Sequence, residues 1–115
     1  MLDSIKQKLK QINLIEATQY KKAGVLILLL KEDKDDEYKI VFTKRSTKLK
    51  THSGEVSFPG GKWEDADNSL YETALRESNE EINLNIENVT KLGNLNFLLS
   101  RHKIEVNPYV GYLNK

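Results

Sequence analysis

With 115 residues, 38% hydrophobic and 30% charged, the chain has the composition of one globular domain over residues 1–115, with a single core. A formal net charge of +1 excludes bulk attraction to nucleic acid or a membrane surface, and the lack of cysteine excludes disulfides, thiolate catalysis and zinc–thiolate sites. The longest apolar run, Ala23 to Leu30, is eight residues, far short of a membrane span, and the first residues lack the apolar core of a signal peptide. A reducing, cytoplasmic setting is the expectation, and a homodimer is left open.

Asp3 or Ser4 is placed to cap a first helix whose Ile5, Leu9 and Ile12 share one face, expected to pack on its own domain. Asn13 to Gln19 reads as a connector. Lys22 to Leu30 reads as a central strand, apolar on both faces. An acidic hairpin loop, Glu32 to Glu37, leads to a return strand from Tyr38 to Lys44. Glu55 to Phe58 is a short strand feeding a turn at Phe58-Pro59-Gly60-Gly61, whose glycines let the backbone approach a ligand closely. Leu70, Ala74, Leu75, Ser78 and Ile82 recur at helical steps, so Leu70 to Ile82 is predicted as an amphipathic helix, capped by Asn68 or Ser69 and ended by Asn83. Ile86 to Leu99 reads as one long or broken strand around Gly93. Ile104, Val106, Val110 and Tyr112 mark the last strand, where Pro108 predicts an edge or a bulge. Strands on both sides of a helix give an α/β domain with a mixed sheet.

Glu77, Glu80 and Glu81 stand at i, i+3 and i+4 of the predicted helix, which puts three carboxylates on one face. From Leu70 to Ile82 four glutamates face one arginine, a net of −3. Two like charges about 4 Å apart repel by roughly 4 kcal/mol at an effective dielectric near 20. A hard divalent cation such as Mg²⁺, which takes oxygen ligands and shares its other positions with water and phosphates, would relieve this. A solvated acidic face is the bland alternative. Lys44, Arg45, Lys48 and Lys50 form a basic loop with no acid between Glu37 and Glu55, suited to a substrate with several phosphates. Trp63 is placed either to stack on a base or to cover the helix start, the second being the expectation. His52 and His102 are isolated and make no zinc site.

Gly61, five residues, Asp67, eight residues, Arg76-Glu77, then Glu80-Glu81 resembles the signature box of the Nudix hydrolases. The chain departs from it by one extra residue before Arg76, by Asp67 where the family has Glu, by Asn83 for a late Gly, and by Ser78 at an apolar position. Phe42-Thr43-Lys44-Arg45-Ser46, Lys50, Gly54 and Phe58-Pro59-Gly60-Gly61, with the longer Asp-containing box, resemble the coenzyme A pyrophosphatase branch. The resemblance covers roughly residues 22 to 112 and implies the Nudix fold, an α/β/α sandwich with a mixed sheet. It implies Mg²⁺ or Mn²⁺ as cofactor, with Glu77, Glu80 and Glu81 as metal ligands and, with Arg76, as the catalytic set. Arg76 is expected to anchor the cluster by pairing with a glutamate. Arg45, Ser46, Lys50, Gly60 and Gly61 are the expected substrate contacts, with Arg45 clamping a 3′-phosphate bidentately. The implied reaction splits coenzyme A, or an acyl form of it, into 3′,5′-adenosine bisphosphate and 4′-phosphopantetheine. Two rivals stay open: a hydrolase of ADP-ribose, nucleoside triphosphates or dinucleotide polyphosphates, and a catalytically inactive nucleotide-binding module. Many such enzymes carry a further acid after the box, for which this chain offers only Glu87 and Glu105. The resemblance would also place another strand and a helix beyond Gly111.

Overall fold

Strand β1, Lys22–Leu30, is the axis of the sheet and has the predicted bounds. A strand made almost wholly of Ala, Val, Leu and Ile leaves neither face for solvent, so both are covered. The computed structural model describes residues 1–12, 19–31, 37–44 and 55–114. In it β1 runs parallel to the last strand, β8 (Glu105–Leu113), from the pair Lys22 and Glu105 to the pair Leu29 and Tyr112. The other edge of β1 pairs antiparallel with two short strands, β2 (Lys39–Ile40) and β5 (Gly60–Lys62). β8 in turn pairs antiparallel with β6 (Val89–Asn94) and β7 (Leu98–Leu99), which completes a mixed six-stranded sheet. β3 (Thr43–Lys44) and β4 (Val56–Ser57) pair with each other apart from it.

Alternation along β1 assigns the two faces. Leu26 and Leu28, fully buried, pack with Ala74 and Leu84 beneath helix α2 (Leu70–Ile82). Ile27 and Leu29 pack with Leu92 and Val110 beneath helix α1 (Leu2–Lys10). Each buried leucine contributes about 1.5–3 kcal/mol relative to an exposed one. The result is the expected α/β/α sandwich. Helix α2 sits close because Gly24 has no side chain: a Cβ there would collide with the Leu70 carbonyl oxygen and lie 3.1 Å from the Ala74 nitrogen.

Five expectations need correction. Helix α1 starts earlier than predicted, with Asp3 and Ser4 inside its first turn, because Leu2 joins Ile5 and Leu9 on the face packed against Leu92. Tyr38 to Lys44 is not one strand. Ile40 pairs with Leu29 of β1, whereas Thr43 pairs with Ser57, so the chain changes sheets between them. The Pro-Gly-Gly stretch is not only a turn, since Gly60–Lys62 is extended and pairs with Ala23 to Val25. Of the two places expected for Pro108, the edge is wrong and the bulge is right: it lies in a central strand, where three residues, 95–97, stand opposite residues 107 and 108 between the pairs Asn94–Tyr109 and Leu98–Val106. It is tolerated because its missing donor faces residues 95–97, where the neighbouring strand is interrupted between β6 and β7, and its carbonyl accepts from Leu95. The expected strand from Ile86 to Leu99 starts later, because Ile86–Asn88 is a 3-10 helix, and it breaks at residues 95–97 before β7, while Gly93 marks only a register shift within β6.

The close seat of α2 predicts a cost for any side chain at Gly24. Gly24→Ala should lower unfolding stability by about 1–3 kcal/mol, the range for overpacking a well-filled core. Urea denaturation checks this, and an unchanged midpoint would show that α2 does not rest on this strand.

Candidate functional site

Helix α2 is closed at both ends by the residues the sequence offers. The Ser69 hydroxyl accepts the Glu72 N–H at 3.1 Å, and Asn83 takes the left-handed conformation at φ 53°. Ser78 is fully buried as a small residue of the helix underside, and nothing in the structure explains its hydroxyl.

The acidic face of α2 is organised by Arg76. Its Nε donates to Asp67 Oδ1 at 2.9 Å and its Nη2 to Asp67 Oδ2 at 3.0 Å, a bidentate pair. The same Nη2 donates to the Lys62 carbonyl at 3.1 Å. Nη1 donates to Glu77 Oε1 at 2.9 Å and also stands 3.6 Å from Glu80 and 3.8 Å from Glu64. Asp67 is 5% exposed, and its Oδ2 also accepts the Thr73 hydroxyl at 2.8 Å and the Glu64 N–H at 3.0 Å. The Arg76 hydrogen bond holds the Asp67 carboxyl well below the usual carboxylate range, against the opposing pull of desolvation, with Glu64 N–H and the Thr73 hydroxyl adding to the lowering. The Asp67 hydrogen bond in turn raises the already high Arg76 value. Arg76 thus anchors the cluster, as expected of it. Asp67 as its main partner was not foreseen, although Asp67 and Arg76 both lie in the stretch that resembles the box.

Two of the three glutamates face the glycine strand. A Cβ on Gly61 would lie 2.5 Å from the Glu77 carboxyl carbon, so a larger residue there would push the Glu77 carboxylate out of this position. The Gly60 N–H donates to Glu81 Oε1 at 3.3 Å. Glu80 and Glu81 are exposed. Among the described residues no three His, Cys, Asp or Glu side chains are gathered to hold a metal ion. The expected convergence is therefore not formed in this side-chain arrangement, because Arg76 draws Glu77 and Glu80 toward itself while Glu81 turns to Gly60. The donor set nevertheless fits a hard divalent cation: it consists of oxygens only, on one helix face beside a glycine strand.

Beside Glu81 lies a polar recess of about 320 Å³ lined by Thr43, Lys44, Ser57, Gly60 and Glu81. An apolar cavity of about 600 Å³ adjoins it through Ser57 and Gly60, lined among others by Val25, Ile27, Phe42, Phe58, Leu98 and Pro108. Phe42 and Phe58 stack there at 4.9 Å. Gly60 and Gly61 are therefore at the site. Arg45, Ser46 and Lys50, with Lys48 and His52, lie outside the described residues. Glu105 is fully buried beside Lys22 Nζ at 3.5 Å and accepts from Asn107 at 2.9 Å, which ties it into the sheet. His102 lies in the turn before β8, as a loop residue.

A model of the NUDIX domain matches residues 20–112. The chain is 47% identical over 93 residues to Nudix hydrolase 15, mitochondrial, of Arabidopsis thaliana, covering 81% of this chain and 32% of that protein. It is 39% identical over 95 residues to the peroxisomal coenzyme A diphosphatase ndx-8 of Caenorhabditis elegans, covering 81% of this chain and 40% of the relative. The crystal structure of C. elegans Ap4A hydrolase shares the fold, with a TM-score of 0.64 at 20% identity over 84% of this chain and 70% of that one. The chain belongs to the NUDIX family. It spans 30% to 50% of the length of the first curated relatives it matches.

The Asp67–Arg76 pair sets a pH dependence with a definite sign. The folded-state value of Asp67 lies below the unfolded value of about 3.9. Its stabilisation is therefore full above that pH and is lost as pH falls toward the folded value. Asp67→Asn should unfold at lower denaturant than the parent chain above about pH 4, and the gap should narrow on further acidification. A gap that widens as pH falls would contradict the pairing.

Proposed function

We propose that this chain is a divalent-cation-dependent pyrophosphohydrolase that cleaves the diphosphate bridge of coenzyme A or an acyl form of it. The observation that carries the reading is the polar recess over Gly60, where Lys44 and Glu81 face one space that opens into the apolar cavity. A substrate with a charged diphosphate and a long, partly apolar arm matches that pairing of recesses. Lys44 also begins the basic segment through Lys50, in which Arg45 and Lys50 would meet the further phosphate and Ser46 would add a hydroxyl donor. The similarity to a protein named a coenzyme A diphosphatase supports the same branch.

In this reading Glu77, Glu80 and Glu81 hold the cation, Mg²⁺ or Mn²⁺. When bound, it neutralises diphosphate charge and makes water a better nucleophile at neutral pH. The chain's own residues supply the rest. Arg76 keeps Glu77 beside Gly61 and balances the acidic face, and so acts as a positioning residue rather than touching the reacting phosphorus. Gly60 and Gly61 let the phosphates approach the backbone. Glu80 and Glu81, exposed and lightly held, are free to turn toward the phosphates. Water attacks one phosphorus, the bridging P–O bond breaks, and two monophosphates leave. The expected cytoplasmic setting rests on composition, while the named relatives include mitochondrial and peroxisomal proteins. A second reading, a nucleotide-binding module without turnover, draws on the ungathered carboxylates.

Incubation with coenzyme A, ADP-ribose and nucleoside triphosphates in Mg²⁺, followed by product analysis, separates these readings. The proposal predicts 3′,5′-adenosine bisphosphate and 4′-phosphopantetheine as the main products, whereas binding without products favours the inactive module. Glu80→Gln and Glu81→Gln should each lower kcat at least tenfold, the scale of a lost transition-state contact. Arg45→Ala should reduce kcat/KM for coenzyme A about ten- to a hundredfold more than for 3′-dephospho-coenzyme A, the worth of a charge-assisted hydrogen bond. Equal losses on both substrates would remove Arg45 from the 3′-phosphate.

A further inference from the structure

The ends of β1 and β5 carry a second group of residues that the hydrolase reading does not use. Lys21, Lys22, Lys62 and Trp63 line a recess of about 320 Å³. Tyr20, Lys21, Lys22, Trp63 and Leu70 line an adjoining one of about 460 Å³, so the two share Lys21, Lys22 and Trp63. Both volumes fall in the range of small-molecule sites. Trp63 and Leu70, the first residue of α2, line the same recess, and Trp63 is 37% exposed and Tyr20 42% exposed.

The backbone beneath these side chains is fixed. Trp63 N–H donates to the Lys22 carbonyl at 2.9 Å, Glu105 N–H donates to the Lys21 carbonyl at 2.8 Å, and Lys62 pairs with Ala23. The Lys22 ammonium is 3.5 Å from the buried Glu105 carboxylate. The ammonium groups of Lys21 and Lys62 have no carboxylate at ion-pair distance among the described residues. Glu64, the acid next to Trp63 in sequence, has its carboxylate 3.8 Å from Arg76. Two ammonium groups left over beside an exposed indole and phenol suit a ligand that is planar at one end and anionic at the other. Aromatic side chains stack on any nucleobase, and lysines hold phosphate as point charges.

We propose that this groove is a mononucleotide site, with the base stacked on Trp63 and the phosphate held by Lys21 and Lys62. Leu70 at the groove and Glu81 at the polar recess are eleven residues apart on α2, about 16 Å along the helix axis at 1.5 Å per residue. A mononucleotide in the groove therefore does not reach the Glu81 carboxylate, and the site stands whether or not the chain hydrolyses diphosphates.

Trp63 is the single tryptophan of the chain, so its fluorescence reports on this groove alone. The test is a titration of the whole chain with adenosine 5′-monophosphate in EDTA, with excitation above adenine absorption. Saturable quenching is expected, retained in Glu81→Gln. Lys21→Ala and Lys62→Ala should each raise the half-saturating concentration several-fold, and together by roughly tenfold or more. Adenosine, lacking the phosphate, should bind more weakly and be indifferent to both substitutions. An unchanged far-ultraviolet circular dichroism spectrum in the lysine variants keeps weaker binding from being read as unfolding. No saturable quenching, equal binding in the double lysine variant, or loss of quenching in Glu81→Gln would each overturn the proposal.

Discussion

Arg76 stands between the loop that precedes α2 and the carboxylates that the helix carries, and its fork decides how both are held. Its bidentate bond to Asp67 ties residues 64–67 down to the helix, while its bond to the Lys62 carbonyl ties the helix to β5. Nη1 then spreads one positive charge over Glu77, Glu80 and Glu64. Without that charge, Asp67 would be a buried carboxylate with only a hydroxyl and an amide for company, and the helix face would repel itself. Removing one partner of a buried pair is costlier than the net worth of the pair, because the remaining charge stays desolvated.

The same helix depends on close backbone approach. Gly24 lets α2 lie against β1 without a side chain between them, and Gly61 makes room for Glu77. These two positions and the Arg76 fork act together: one sets the distance of α2 from the sheet, the other its attachment to the loop. Glu77 and Glu81 then meet the glycine strand from the helix, while Lys44 and Ser57 approach the same recess from the small β3–β4 sheet. The polar and apolar recesses thus meet where the helix, the main sheet and the small sheet come together.

Sequence reading succeeded where the signal is local. The bounds of α2 followed from helical spacing and from Ser69 and Asn83 as caps, and those of β1 from one uninterrupted apolar run. The family box and the sandwich it implied were legible for the same reason, since the box lies within one contiguous stretch. Pairings over long sequence distance were not legible. Nothing near Glu105 says that it will meet Lys22 across a parallel strand pair, and Pro108 announces an edge or a bulge without saying which strand lies opposite it. Tyr20, Lys62 and Trp63 are brought to one groove only by the β1–β5 pairing, so no motif could announce it. Asp67 was visible as a box residue, but its partner became evident only with the geometry of the Arg76 fork.

The central claim is that the α2 carboxylates form the cation site of a hydrolase, and metal binding tests it without any choice of substrate. Titration of the chain with Mn²⁺, followed by electron paramagnetic resonance of the free ion, reads stoichiometry and affinity directly. The account predicts saturable binding that weakens in Glu81→Gln by at least the roughly tenfold that even outer-shell changes cost a metal site. Binding that is absent, or that is unchanged when Glu77, Glu80 and Glu81 are all replaced by Gln, would contradict it.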